Sequence, residues 1–219
     1  KEALKIDPIR ESKNAETSYL KLFEKEIYNP KIINNYAVIH EKQGDIKKAK
    51  LIHEKCIKQF PKECYESLSN LGSLYLKEGD LTSALKYTYK ALKLKENHTN
   101  SLFNLSLLYK HNNQLKKAKT TLNKILHIEE GYIKAYNTLG ILLRDEGNHE
   151  SAENIFLKGI EKDPSYTNLY INLSINYLDM DEFQKGKLII LNGLKVKPND
   201  TKLLARISLL SQNEGDFDQ

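Results

Sequence analysis

Apolar side chains recur along this chain at helical spacing, as Leu68, Leu71 and Tyr75 in one segment and Tyr136 and Leu139 in another. Each apolar stripe carries a small residue at one fixed place. In the first helix predicted for each segment that place holds Ala37, Gly72, Ser106, Gly140 and Ser174, and twelve residues further on stand Ala49, Ala84, Ala118, Ala152 and Gly186. Two helices with small residues at facing positions approach closely. Between the two slots lies a turn residue, Gly44, Gly79, Asn113, Gly147, Asp181 and finally Gly215, at intervals of 35, 34, 34, 34 and 34. A fixed period of this length predicts stacked helical hairpins, an array with no single central core.

At these residues the chain resembles the tetratricopeptide repeat family, whose pattern sets a large apolar residue before Leu-Gly-x-x-Tyr, then Ala-x-x-x-Phe, then Pro. Leu68, Leu71, Gly72, Tyr75 and Ala84 carry it in one repeat, and Tyr136, Leu139, Gly140, Ala152, Phe156 and Pro164 in another. Elsewhere Ser106 and Ser174 replace Gly, Thr88 and Leu122 fill the aromatic slot, and Glu96 and Glu130 stand where the family usually places Pro. The resemblance implies an all-α, right-handed α-solenoid of antiparallel helix pairs, with five full repeats at 30–63, 65–98, 99–132, 133–166 and 167–200 and a partial sixth over 201–219.

Both ends read as cut. Residues 1–8 resemble the close of a second helix, with Ala3 and Pro8 spaced like Cys56 and Pro61, and the final segment is expected to supply one helix, a turn at Glu214-Gly215-Asp216 and little of its partner. Residues 9–29 interrupt the period. There Tyr19, Phe23 and Ile27, widened by Leu20 and Leu22, predict one amphipathic helix from about 15 to 28, either a degenerate repeat or a docking helix. Asn29 suits a helix cap and Pro30 the first helical turn, so the regular array restarts there.

Composition narrows the function classes. Apolar content is 40%, with thirteen Tyr and no Trp, and no stretch approaches the ~18 apolar residues of a membrane span, so no membrane partner is expected. Thirty-four basic residues stand against 29 acidic ones, interspersed along the chain, and Tyr136 and Tyr170 fall in apolar packing slots. Nucleic-acid binding, which needs a continuous basic groove and stacking platforms, is disfavoured. Two cysteines, Cys56 and Cys64, fit a reducing, cytoplasmic compartment. His40, His53 and Cys56 are expected on one inter-helix seam, where three potential ligands invite the question of a metal, but their spacing matches no metal motif and a packed seam is the preferred expectation. There is no Gly-rich phosphate loop, no His-Glu-x-x-His, no Gly-x-Ser-x-Gly and no Cys-x-x-Cys, and Asp179, Asp181 and Glu182 read as a capping turn. No catalytic residue, metal or cofactor is assigned.

The functional signal lies one residue before each Leu-Gly-like pair, in Asn35, Asn70, Asn104 and Asn172, with Thr138 breaking the series and Asn137 beside it. An Asn amide offers an acceptor and two donors, enough to pair with the C=O and N–H of an extended peptide. The row is similar to the asparagine ladder in the repeats of O-linked N-acetylglucosamine transferases, which implies peptide main-chain binding in a groove. Asn172, Lys202 and Arg206 also match the later three members of the five-residue carboxylate clamp of chaperone-binding repeat domains, while Asn137 and Ile141 stand where that clamp has Lys and Asn. The chain is thus expected to be a non-catalytic scaffold binding a peptide or partner protein along Asn35, Asn70, Asn104, Asn137, Asn172, Lys202 and Arg206. The alternative is the substrate-recruiting arm of a glycosyltransferase- or sulfotransferase-type enzyme. Oligomeric state is left open.

Overall fold

The computed structural model describes residues 12–24 and 29–217. Among them are twelve helices and no strand. They run α1 (Ser12–Glu24), α2 (Pro30–Lys42), α3 (Ile46–Gln59), α4 (Tyr65–Glu78), α5 (Leu81–Leu94), α6 (Thr99–His111), α7 (Leu115–Ile128), α8 (Ile133–Asp145), α9 (His149–Lys162), α10 (Thr167–Leu178), α11 (Phe183–Val196) and α12 (Thr201–Phe217). The chain divides into two compact units, Lys1–Gln114 and Leu115–Gln219. In the first, α2 pairs with α3 and α4 with α5; in the second, α8 pairs with α9 and α10 with α11.

The period has a conformational cause. Gly44, Gly79 and Gly147 have φ of 84°, 83° and 80°, and Asn113 and Asp181 reach 55° and 59°. A left-handed residue follows each of the five first helices α2, α4, α6, α8 and α10 and reverses the chain, and the three residue types found there are those that tolerate it. The sixth member of the series departs from expectation. Instead of turning at Glu214-Gly215-Asp216, α12 continues to Phe217. Glycine permits the left-handed turn without imposing it, and a reversal is held in place by a second helix packed against the first.

The small slots are all buried. Ala37, Ala49, Ala84, Ala118 and Ala152 have no exposed surface, nor do Ser106 and Ser174. A Cβ on Gly72 would sit 2.7 Å from Thr88 Oγ1, one on Gly186 would sit 3.2 Å from the Ser174 carbonyl, and one on Gly140 would overlap the Phe156 ring. Between hairpins the same size matching recurs with Tyr. Gly159 leaves room for Tyr136, whose Cβ would lie 2.9 Å from an added methyl, and Gly193 leaves room for Tyr170. In this way Tyr136, Phe156, Leu169, Leu173 and Tyr177 form one continuous core, extended by Tyr170, Ile190, Leu203 and Leu210. Tyr136 and Tyr170 are buried packing residues, as expected from the sequence.

Helix α1 begins three residues before the expected 15, and 25–28 lie outside the described residues. Its Tyr19 is fully buried against Ile32, Tyr36 and Ile39, while Leu20, expected on the same stripe, is 44% exposed. Glu16, near the start of α1, meets His40 and Gln43 near the end of α2, so the two helices run antiparallel. Asn29 caps α2, accepting from the Ile32 amide at 2.9 Å, with Pro30 in the first turn.

Substituting Ala at Gly140 would ordinarily gain about 1 kcal/mol of helix propensity. Here the rigid Phe156 ring occupies the space, so Gly140→Ala is expected to lower stability by about 1–3 kcal/mol in urea unfolding, and Phe156→Leu in the same chain to recover part of the loss.

Candidate functional site

The asparagines of the first helices do a common job. Asn70, Asn104 and Asn172 each direct the side chain towards the previous first helix. Asn70 Nδ2 donates to Asn34 Oδ1 at 2.9 Å, Asn104 Nδ2 to the Ser69 carbonyl at 2.9 Å, and Asn172 Nδ2 to Asn137 Oδ1 at 2.7 Å. Asn35 follows the rule with α1, hydrogen-bonding the Tyr19 phenol, whose pKa is nevertheless raised by burial. The partner of Asn70, Asn104 and Asn172 is in each case the residue one before the corresponding position in the previous first helix. This second row, Asn34 and Ser69, was not among the expected groove residues, although Asn34 and Asn137 stand at the same register. Around Asn34 the network extends further, with Ser67 Oγ donating to its oxygen at 3.4 Å and its amide donating to Glu66 at 3.2 Å.

The expected groove residues therefore separate by accessibility. Asn35, Asn70, Asn137 and Asn172 are half-buried. Asn104 is 6% exposed and its amide is spent on the Ser69 carbonyl, so it is placed as a stitch between α4 and α6. Asn70 and Asn172, having donated, keep an Oδ1 with no protein partner among the described residues, and Asn137 keeps both amide hydrogens. In the second unit this sets a donor, Asn137 Nδ2, beside an acceptor, Asn172 Oδ1, on adjacent first helices.

Lys202 and Arg206 stand one turn apart on α12. Lys202 Nζ reaches Asn168 Oδ1 at 3.4 Å. Arg206 has a buried Nε with no hydrogen-bond partner among the described residues, and burial lowers its pKa while Asp179 opposes the shift. Asp179 itself ends α10 and lies 3.6 Å from Arg144 Nε, and Glu182 holds Lys185, so the acidic turn is used in local ion pairs.

His40, His53 and Cys56 are all buried, each in its own surroundings. His40 turns to α1, 3.7 Å from Glu16 and edge-on to Tyr36. Cys56 donates to the Pro30 carbonyl at 3.6 Å and packs with Ile33, Cys64 and Leu68. Among the described residues no group of three or more His, Cys, Asp or Glu is placed to hold a metal. Both thiols are free, and burial raises the pKa of each, that of Cys64 to about 11.

Comparison with known proteins adds the family. The tetratricopeptide repeat model matches residues 30–63, 65–98, 99–132 and 133–166. The chain belongs to the tetratricopeptide repeat family. As expected of that family, it is all-α and built of helical-hairpin repeats. Solved structures with the same fold include the APC/C hetero-tetramer Cut9-Hcn1, with a TM-score of 0.79 at 14% identity over 90% of this chain. This chain spans only 39% of that one. TTC0263, a thermophilic TPR protein in Thermus thermophilus, matches at a TM-score of 0.70 and 17% identity over 84% of this chain and all of its own. YrrB, described as a TPR protein with an unusual peptide-binding site, matches at 0.57 and 18% over 85% of this chain and 96% of its own. No curated protein sequence matches the chain. The family's repeats typically mediate protein–protein interaction, and none of the helices among the described residues is long and apolar enough to cross a membrane.

His53 takes the place that Phe156 holds in a later repeat, fully buried and with neither ring nitrogen hydrogen-bonded. Burial lowers its pKa from 6.5 to about 4. The unfolded chain therefore takes up this proton first as pH falls, and stability attributable to His53 is lost between about 6.5 and 4, by up to roughly 3 kcal/mol. His53→Phe is expected to flatten that part of the pH–stability curve in urea titrations. An unchanged slope would place the acid sensitivity elsewhere.

Proposed function

We propose that this chain is a non-catalytic interaction module whose first helices take the main chain of an extended peptide segment of a partner protein. The observation that carries this is the Asn137–Asn172 pair. The 2.7 Å bond between them fixes both amides, so that an unspent donor and an unspent acceptor stand side by side, the complement of one peptide unit. Asn35 and Asn70 are offered as the equivalent contacts in the first unit, and Asn104 as scaffold. Fixing the amides before the ligand arrives lowers the entropic cost of binding, which is the advantage a pre-bonded row has over freely rotating side chains.

Lys202 and Arg206 supply the sign preference. A cation with a buried, unpartnered Nε favours an acidic side chain or a terminal carboxylate in the segment lying over α12. Because Ile141 stands where an amide would complete a carboxylate clamp, this contact serves as one anchor among several. The interaction module is read as cytoplasmic, in keeping with two buried free thiols.

The test is peptide selection on the immobilised chain followed by titration of a selected peptide. Main-chain recognition predicts that N-methylating the peptide at one or two central positions weakens binding about tenfold per lost contact, whereas Ala at the same positions costs much less. Asn137→Ala with Asn172→Ala should match the methylation loss at unchanged helicity. Equal binding by that double variant would overturn the proposal.

A further inference from the structure

The charges, interspersed along the chain, are segregated between helices. In the first unit α3 and α5 carry eight lysines, Lys47, Lys48, Lys50, Lys55, Lys58, Lys86, Lys90 and Lys93, against a single acid, Glu54. Their partners α2 and α4 carry three lysines, Lys31, Lys42 and Lys77, against three glutamates, Glu41, Glu66 and Glu78. The acids nearest α3 and α5 are committed at their ends. Asp45 and Asp80 cap the two helices, and Glu78 pairs with Lys50, which also lies 3.8 Å from the Tyr75 ring centroid. The other seven lysines make no ion pair among the described residues and are exposed.

They also share a face. Ala49, His53 and Cys56 on α3, and Ala84, Thr88 and Ala91 on α5, are the buried positions turned towards the first helices. Lys48, Lys55 and Lys58 lie on the opposite side of α3 with Leu51, and Lys86, Lys90 and Lys93 on the opposite side of α5 with Tyr89. Leu51 is 59% exposed and Tyr89 48%, within the lysine rows. Lys86 and Lys90 lie 5.6 and 5.9 Å from the Tyr87 ring centroid, but neighbouring like charges repel, and an external anion would relieve that repulsion.

We infer that the α3–α5 face is a docking surface for an anionic lipid bilayer. Three features select a bilayer over a nucleic acid. Every cation is Lys, a point charge suited to a diffuse field of headgroups, where phosphate-by-phosphate reading favours the bidentate fork of Arg. Leu51 and Tyr89 have an apolar boundary to enter at a membrane and none on a phosphate backbone. The aromatic pair beside them, Tyr75 and Tyr87, is stacked on itself at 5.4 Å with Lys50 over one face, so it offers no platform to a base. The expectation of no membrane partner rested on the lack of a spanning segment, and a peripheral contact needs none.

The test is flotation of the full chain with vesicles of phosphatidylcholine alone and with about a third phosphatidylserine, since each lysine near such a surface contributes about fivefold in partition. The protein is expected to float only with the anionic vesicles and to lose at least tenfold in partition when salt rises from low to physiological strength. Lys55→Glu, Lys58→Glu, Lys90→Glu and Lys93→Glu together should abolish flotation at unchanged helicity. Leu51→Ala with Tyr89→Ala should weaken it severalfold while leaving the salt dependence intact. Absence of flotation at low salt, unchanged flotation of the glutamate variant, or tight binding of a single-stranded oligonucleotide with none of vesicles would each overturn the proposal.

Discussion

Everything in this chain depends on how closely two antiparallel helices approach at one small residue per helix. At Gly140 there is no room for a methyl group because Phe156 is already there, and at Gly72 the space belongs to Thr88. That approach buries the apolar stripe of each hairpin without a central core. It also fixes the register of the first helices, and with it the positions from which Asn70 and Asn172 reach back one repeat. The left-handed residues at Gly44, Gly79, Asn113, Gly147 and Asp181 belong to the same constraint, since each must return the chain within a few residues for the next slot to align.

The hairpin period, the slots and five of the six turns were legible in the sequence because each is a local demand on one residue type. Gly215 shows the limit of that logic: it stands at the same period as the other turns, yet α12 runs through it to Phe217, since glycine permits a left-handed turn without imposing one. The surroundings of His40 were hidden for a different reason. Repeat register gives His40 the place of Tyr75, but says nothing of α1, which stands outside the register and sets Glu16 3.7 Å from the ring.

The asparagine row was visible in the sequence and its meaning was only half so. Position alone cannot distinguish an amide that faces a ligand from one that bonds the previous repeat, and Asn70, Asn104 and Asn172 do the second. Of these, burial sets Asn104 apart. The lysine rows show the opposite case, since their signs look mixed along the chain and separate only once α3 and α5 are distinguished from α2 and α4.

The central claim is that the stitched asparagines of the first helices are also the ligand contacts. It is tested most directly by following the Asn side-chain amide resonances of the labelled protein while a selected peptide is titrated. The account predicts that Asn35, Asn70, Asn137 and Asn172 shift with the peptide and that Asn104, enclosed between α4 and α6, stays still. Shifts confined to the second helices, with the asparagine amides unmoved, would contradict it.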